Sequence, residues 1–327
     1  MALGTNHVAL TEVTAASRSR SNSAFVRELW TDEIIAAYKS NLVMPNLVVN
    51  MPFTGRKGDT FHVPAPIRGS ASSKAAETQV TLIANQELTK QFLIDQHYEY
   101  SRLIEDIVSI QADDSVRKFY TDDAGYALAK LVDTALHAEG AKFAGAHSAP
   151  TVAGSAYSKA VIGSDGSTAW STSANSNAGN AAALADAGIR EVIRQLDDND
   201  VPNAGRVLVI PPVEKKSLTG IARFTEQAFV GEEGAGNTIR NGKIGNLYGV
   251  DVFVSSNCPT VADAGSAVDQ RAALLFQKEA IVFIEQLSPR VQTSYIQEYL
   301  GDLFTADTIY GSGVLRPEAG VAIVVPA

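Results

Sequence analysis

The sequence predicts an α+β fold in which a long β-hairpin and an inserted α/β unit interrupt one discontinuous domain. Apolar and polar residues alternate along two limbs between Gly58 and Tyr100, as expected for two paired strands. A helical repeat follows at about 114–139, and a stretch at 148–180 rich in Ser, Ala, Gly, Asn and Thr separates it from a second helix and strand. A chain of 327 residues is long enough for two such packed units.

Residues 1–57 are predicted to form an N-terminal arm. Residues 1–24 are mostly Ser, Thr, Ala and Asn, which bury too little apolar surface to fold alone. Arg18 and Arg20 lie in a Ser-Arg-Ser-Arg-Ser run that is typical of a solvated tail; contact with nucleic acid or with a neighbour's acidic surface is the alternative. A short helix is expected from Thr31, followed by an extended stretch at 47–53.

We call residues 58–97 the ribbon, because two alternating limbs flank a polar break at 69–77. The first limb, 60–67, and the return limb each place apolar side chains on one face, among them Phe61, Val63, Val80, Leu82, Leu88 and Phe92. At ~3.3 Å per residue one limb reaches roughly 55 Å, whereas the expected radius of gyration of the chain is roughly 20 Å. Because an isolated hairpin is marginal in water, we expect another subunit to cover it; a hairpin folded on its own core is the alternative.

The candidate inter-subunit contacts are residues of the arm and of the ribbon: Arg18, Arg20, Phe61, Val63, Lys74, Val80, Leu82 and Phe92. Pro64 and Pro66 lie two residues apart, so they remove backbone donors from the same edge of the first limb and prevent strand addition there. An exposed ribbon with one blocked edge indicates controlled assembly.

The helix predicted at about 114–139 would be roughly 37 Å long and form a spine for the surrounding sheet. In the inserted unit we expect a helix at 181–196, a buried strand at 206–210 stopped by two prolines, and an alternating strand at 250–254. Strand-like runs at 274–276, 280–284 and 321–325 are expected to return to the spine helix.

The sequence contains no pattern that indicates catalysis or a bound cofactor. Glycine-rich runs at 231–236 and 242–245 lack the spacing of a phosphate-binding loop, and the five histidines are scattered. The acidic pairs at 105–106, 113–114 and 122–123 are typical of solvated helix caps, although paired carboxylates also serve acid–base catalysis. We predict no enzyme, no cofactor and no metal site, with His137 as a structural residue.

Composition bounds the partners and the compartment. The net charge of −9 argues against a protein that grips nucleic acid through phosphate contacts, but not against a container around nucleic acid. The single Cys258 excludes an intrachain disulfide and indicates synthesis in a reducing compartment. No long apolar run or signal segment is present, so we expect a soluble protein that is not exported and has no membrane partner.

The order of these parts resembles the major capsid protein of a tailed bacteriophage, with the Hong Kong 97-type fold that herpesviruses and encapsulins share. Four stretches are similar to capsid proteins of marine podovirus-like phages: 97–106 (HYEYSRLIED), 117–129 (RKFYTDDAGYALA), 207–212 (VLVIPP), and 310–311 with 314–318 (YG and VLRPE). These motifs are diffuse, and their order along the chain carries more of the resemblance.

The resemblance implies an arm at 1–57, an extended loop at 58–97, a peripheral domain at 98–174 and 271–327, and an axial domain at 175–270. It implies many copies grouped as pentamers and hexamers in an icosahedral virion shell that is assembled in the host cytoplasm. The partners implied are a separate scaffolding protein, a portal protein and a possible decoration protein. The shell would enclose double-stranded DNA without sequence-specific binding.

Two other functions stay open on the sequence alone. An encapsulin-like compartment shares the fold but holds a cargo enzyme, and a bound cargo peptide on the inner wall would favour it. A soluble α/β enzyme with a projecting oligomerisation hairpin would form a small oligomer and need a catalytic pocket.

Overall fold

The structure is a computed structural model, and it describes residues 18–19, 44–53, 57–66, 71, 73–74, 76–80, 82, 87–106, 115–146, 156–170, 180–221, 245–261 and 270–327. The helices in these ranges are α1 (Met44–Leu47), α2 (Ser115–Glu139), α3 (Asp186–Asp198) and α4 (Pro212–Thr219). The strands are β1 (Arg18–Ser19), β2 (Val49–Pro52), β3 (Thr60–Pro66), β4 (Glu87–Leu93), β5 (Gln96–Glu105), β6 (Val161–Ile162), β7 (Arg206–Ile210), β8 (Asn246–Leu247), β9 (Val250–Val254), β10 (Thr260–Val261), β11 (Gln270–Gln277), β12 (Ile281–Ile296), β13 (Gly301–Val314) and β14 (Gly320–Pro326).

The first sheet is built around the long antiparallel pair β12 and β13. Its strand order is β1-β12-β13-β5, and β2 pairs with β12 in parallel. The β12–β13 register shifts between Glu285, Leu287 and Arg290. Pro289 lies in this interval and cannot donate to the ladder, so a bulge is the expected local structure.

Helix α2 is the predicted spine, and it begins at Ser115 and ends at Glu139. Its buried residues Ala124, Leu128, Val132 and Leu136 share one core with Phe283, Phe304 and Tyr310 of the first sheet. The same core includes Leu274 and Phe276 of the second sheet. Alanine, leucine and valine at three- and four-residue steps thus place one helix between two sheets.

The second sheet has the strand order β6-β14-β11-β7-β9-β8, with β10 paired to β11. One face contacts the core of α2, and the other packs against Ile189, Val192 and Leu196 of α3. Because both faces are covered, β7 and β11 are almost continuously apolar. Leu275 of β11 lies opposite Leu208 of β7 and Val321 of β14. This sheet therefore combines β7, from the range predicted as the axial domain, with β14, from the range predicted as the peripheral domain. The division into peripheral and axial domains stays a prediction.

The prediction of a helix at 181–196 is wrong for its first five residues, 181–185. The Leu184 N–H donates to Glu214 Oε2 over 2.7 Å and the Ala185 N–H donates to Gly163 O over 3.0 Å, which holds this segment extended. Helix α3 therefore starts at Asp186. Tertiary hydrogen bonds outweigh the local helical preference of an alanine-rich stretch here.

Two further expectations differ from the structure or fall outside it. The prolines after β7 do not simply stop a strand, because Pro212 begins helix α4, where a missing N–H costs nothing. The helix expected from Thr31, the acidic residues 113–114, the glycine-rich run at 231–236 and most of 242–245 lie outside the described residues. Part of the stretch at 148–180 is docked, since Trp170 is buried and its Nε1 donates to Gln270 Oε1 over 2.7 Å.

Candidate assembly surface

The base of the ribbon is anchored in its own subunit. Strands β3 and β4 pair antiparallel with Phe61 opposite Phe92 and Val63 opposite Lys90. Phe92 is 5% exposed and packs with Phe53, Ile94, Val282 and Ile284, against which Phe61 and Val63 are partly buried. The Phe53 and Phe61 rings meet edge to face, with centroids 5.6 Å apart. The part of the ribbon nearest the body therefore contributes to the core of this chain.

Further along the ribbon, its apolar side chains are exposed. Leu88 lies on the same face of β4 as Phe92 and is 58% exposed. Val80 is 60% exposed, Leu82 is 86% exposed, and Lys74 is also exposed. Val80 and Leu82 are outside any strand, so the prediction that they continue the alternating limb is wrong for these two residues. The described part of the chain leaves this apolar surface uncovered.

Two prolines block the outer edge of β3. The Ile94 N–H donates to Asp59 O over 2.8 Å, which makes these two residues a hydrogen-bonded pair of the β3–β4 ladder. In an antiparallel ladder such pairs recur at every second residue, so Phe61 and Phe92 are the next hydrogen-bonded pair. Pro64 and Pro66 occupy the intervening positions, where the backbone nitrogen points away from β4. The predicted loss of donors on one edge is confirmed.

Part of the arm pairs with the first sheet. Arg18 lies opposite Ile296, and Ser19 lies opposite Tyr295, in antiparallel pairing with β12. The solvated-tail prediction is therefore wrong for these two residues, because a backbone strand pair holds them to the sheet. Arg20 lies outside the described residues. Whether Arg18, Arg20 and the ribbon residues contact another subunit stays a prediction.

A buried carboxylate fixes the end of the arm to the spine helix. Asp133 on α2 is 1% exposed and accepts hydrogen bonds from the Met44 N–H at 2.9 Å and from Asn257 Nδ2 at 2.7 Å. Met44, Leu47 and Val48 are buried in the core that contains α2. One side chain of the helix therefore links the arm to the loop that follows β9.

The neighbouring His137 has the residue types, but not the geometry, of a catalytic triad. Its Nε2 is 3.6 Å from Asp133 Oδ2 and 3.3 Å from Ser255 Oγ, so one nitrogen faces both partners. A triad needs the acid on one nitrogen and the nucleophile on the other. His137 is fully buried, its Nδ1 has no partner among the described residues, and burial lowers its pKa although the charge of Asp133 raises it. This group supports the predicted structural role.

Two of the acidic candidates, Asp106 and Asp123, and the single cysteine also serve packing. Asp106 accepts a hydrogen bond from Tyr295 Oη at 2.8 Å, and Asp123 accepts one from Tyr100 Oη at 2.6 Å. Burial, aided by Asp123, raises the pKa of Tyr100 to about 12. Burial raises the pKa of the Cys258 thiol to about 12, so this thiol stays protonated at neutral pH.

Within the ranges that the structure describes, no group of three or more His, Cys, Asp or Glu side chains is arranged to hold a metal ion. Among the same residues, no helix combines the length and apolar character that crossing a membrane requires.

The comparisons with known proteins agree with this architecture. The fold is similar to that of the cyanophage Pam1 capsid (TM-score 0.66, 13% identity, 97% of this chain and 98% of that chain). It is also similar to a chain of Mycobacterium phage Che8 (TM-score 0.64, 24% identity, 86% and 90% coverage) and to the capsid of cyanophage P-SCSP1u (TM-score 0.63, 18% identity, 96% and 90% coverage). No match was found among curated proteins.

The chain thus has the mixed helix and sheet fold of tailed-phage capsid proteins, as the sequence predicts. The phage capsid protein family matches residues 106–323, about two thirds of the sequence. The chain therefore belongs to the phage capsid protein family, whose members are structural proteins that form the virion shell.

Proposed function

We propose that this chain is the major capsid protein of a tailed phage, and that its pentamers and hexamers close into an icosahedral shell. The observation that carries this proposal is the ribbon, where the apolar face of β4 is buried at Phe92 and exposed at Leu88, and where Leu82 beyond the strand is also exposed. Burial of apolar surface contributes ~25 cal/mol per Å², so covering this face on a neighbouring copy stabilises the shell. Interfaces repeated around closed symmetry then yield a container.

The partners belong to the same proposal. A separate scaffolding protein, a portal protein and a possible decoration protein act with the chain, and assembly takes place in the host cytoplasm. The shell encloses double-stranded DNA, and a net charge of −9 supports an enclosure that does not grip phosphates strongly. The chain has no catalytic role in this scheme; the buried position of the Asp133, His137 and Ser255 group supports this.

Electron microscopy of the purified chain, expressed with and without the scaffolding protein of its phage, tests the proposal. We expect uniform icosahedral particles when the scaffolding protein is present. A stable monomer or dimer under all conditions would contradict the proposal, and particles filled with a cargo enzyme would support an encapsulin-like compartment instead.

A point substitution tests the role of the ribbon. We expect Leu82→Ser to leave the melting temperature of the subunit unchanged, because this side chain is 86% exposed, and to reduce the yield of shells several-fold. Leu82→Met is the matched control, since it keeps the apolar surface and should assemble normally. Equal shell yields for both variants would show that this part of the ribbon is not an interface.

A further inference from the structure

The outer edge of β5 presents backbone groups that no described strand pairs with. β5 pairs with β13 in a register that sets Glu105 opposite Gly301 and Gln96 opposite Tyr310. The Asp106 N–H donates to Leu300 O over 2.9 Å, so the hydrogen-bonded pairs of this ladder fall on even-numbered residues of β5. The odd-numbered residues therefore direct their N–H and C=O groups away from the sheet. His97, Glu99 and Ser101 are exposed, whereas Leu103 is 1% exposed, so the open part of this edge is 97–101.

This edge differs from the outer edges of β12 and β3. The outer edge of β12 contacts β1 and β2, and the outer edge of β3 has lost donors at Pro64 and Pro66. β5 is ten residues long and contains no proline. Such an edge is a template for pairing with another chain, and proteins that must avoid pairing block or cover it.

The surface beside the edge is held in a fixed arrangement. A groove of about 410 Å³ runs across the three strands and is lined by His97, Glu99, Arg290, Gln292, Thr305 and Asp307. Arg290 donates two hydrogen bonds to the Asp307 carboxylate, at 2.8 and 2.9 Å, and His97 Nε2 lies 3.5 Å from the same group. This cross-strand pairing keeps β5, β13 and β12 in register, so a strand added at the edge meets a preformed sheet.

We propose that the outer edge of β5 is a strand-pairing site for a second copy of this chain. The proposal rests on the shell-forming function above, because a shell surrounds each subunit with identical neighbours. The ribbon of a neighbour supplies a compatible strand: its β3 edge lacks donors at Pro64 and Pro66, but β4 contains no proline. Pairing of this kind takes its affinity from main-chain hydrogen bonds.

Hydrogen exchange resolved to single amides tests the proposal without any substitution. In the unassembled chain, we expect the even-numbered amides of β5 to be protected by β13 and the amides of His97, Glu99 and Ser101 to exchange rapidly. In assembled shells from which the scaffolding protein has been removed, exchange of the His97, Glu99 and Ser101 amides should slow by about 100-fold, because each gains a carbonyl partner. Fast exchange of the odd-numbered amides in intact shells would overturn the proposal while leaving the shell-forming function in place.

The composition of the shell identifies the partner strand. Protection that persists in shells after scaffolding and decoration proteins have been removed supports a second copy. Protection that is lost when one of these proteins is removed from intact shells would assign the edge to that protein and overturn the proposal.

Proline substitution at an outward-facing position provides a second test. Ser101→Pro removes one outward donor and none of the hydrogen bonds to β13, and β3 already tolerates prolines at equivalent positions. We expect a subunit that melts within a few degrees of the parent chain and forms at least tenfold fewer shells. Ser101→Ala keeps the backbone N–H and is the control. Normal assembly of Ser101→Pro would contradict the proposal. If Ser101→Pro does not fold, the hydrogen-exchange experiment on the parent chain decides the proposal.

Discussion

Gly313 lies directly under the ring of Phe92, where β4 crosses the end of β13. A Cβ atom at this position would overlap Cδ1 and Cε1 of the buried ring. The contact lies within the cluster that joins the ribbon to the first sheet, so it sets how the ribbon leaves the body. Here glycine is required for close approach rather than for an unusual backbone conformation.

We expect Gly313→Ala to lower the free energy of unfolding by about 1–3 kcal/mol, because a buried aromatic ring must move to admit one methyl group. Denaturant unfolding of the unassembled subunit measures this difference. Gly245→Ala is the control, since no described atom lies within 4 Å of the added methyl group. Equal stabilities of the two variants would show that Phe92 repacks without cost.

His137 gives the fold a defined response to acid. Burial lowers its pKa below the usual ~6.5, so below pH ~6.5 the unfolded chain binds a proton that the folded chain does not. Stability therefore falls as the pH drops from ~6.5 towards the folded-state pKa, by at most about 1.4 kcal/mol per pH unit from this residue. The groups that face the imidazole are Asp133, which opposes the shift, and Ser255.

We expect His137→Gln to unfold with a smaller dependence on pH than the parent chain between pH ~7 and pH ~5, since its side chain does not titrate. Thermal unfolding across this range gives the comparison. Parallel pH profiles for the two proteins would show that His137 is protonated in the folded state as readily as in the unfolded state.

At the scale of elements, the arm is held by a polar contact as well as by packing. Asp133→Ala leaves the Met44 N–H and Asn257 Nδ2 without their acceptor in a buried site, which we expect to cost about 3 kcal/mol. Exchange of amides in α1 and β2 should rise more than exchange in the distant strand β14. Uniform loss of protection across the chain would indicate global destabilisation rather than release of the arm.

The elements that the sequence predicts well are those whose limits are set by local sequence signals. The spine helix at Ser115–Glu139 and the strand at Arg206–Ile210 follow from local periodicity and end at local signals. Residues 181–185 have helical preference, but hydrogen bonds to Glu214 and Gly163 hold them extended. Local sequence does not reveal helix α4, because two prolines after a strand indicate a strand end, although Pro212 is also well suited to a helix start.

For the candidate assembly surface too, local patterns are predictable from the sequence and long-range contacts are not. Alternation correctly placed Phe61, Val63 and Phe92 on one face, but could not tell which of them the subunit covers itself. Whether the subunit itself covers these side chains depends on Val282, Ile284 and Gly313, which lie far away in sequence. The pairing of Arg18 with Ile296 cannot be predicted from the sequence either, because a short segment of Ser and Arg carries no signal for a distant strand edge.

At the scale of the whole molecule, we expect folding and assembly to be separable. Among the described residues, none between 66 and 87 belongs to the cores on both sides of the second sheet and around α2. Deleting residues 70–77 should therefore leave a folded subunit with near-parental circular dichroism and melting temperature, but sharply reduce shell formation by electron microscopy. Loss of the subunit fold would show that the tip of the ribbon belongs to the core.

The single cysteine makes this chain a convenient substrate for site-specific chemistry. Cys258 is buried and its thiol stays protonated, so maleimides and disulfide-forming probes should leave the native subunit unmodified. A cysteine introduced at the exposed Lys74 would then be the one reactive thiol of the folded protein. A fluorophore attached there would report, by its change in environment or by energy transfer between copies, the moment at which each ribbon meets its neighbour.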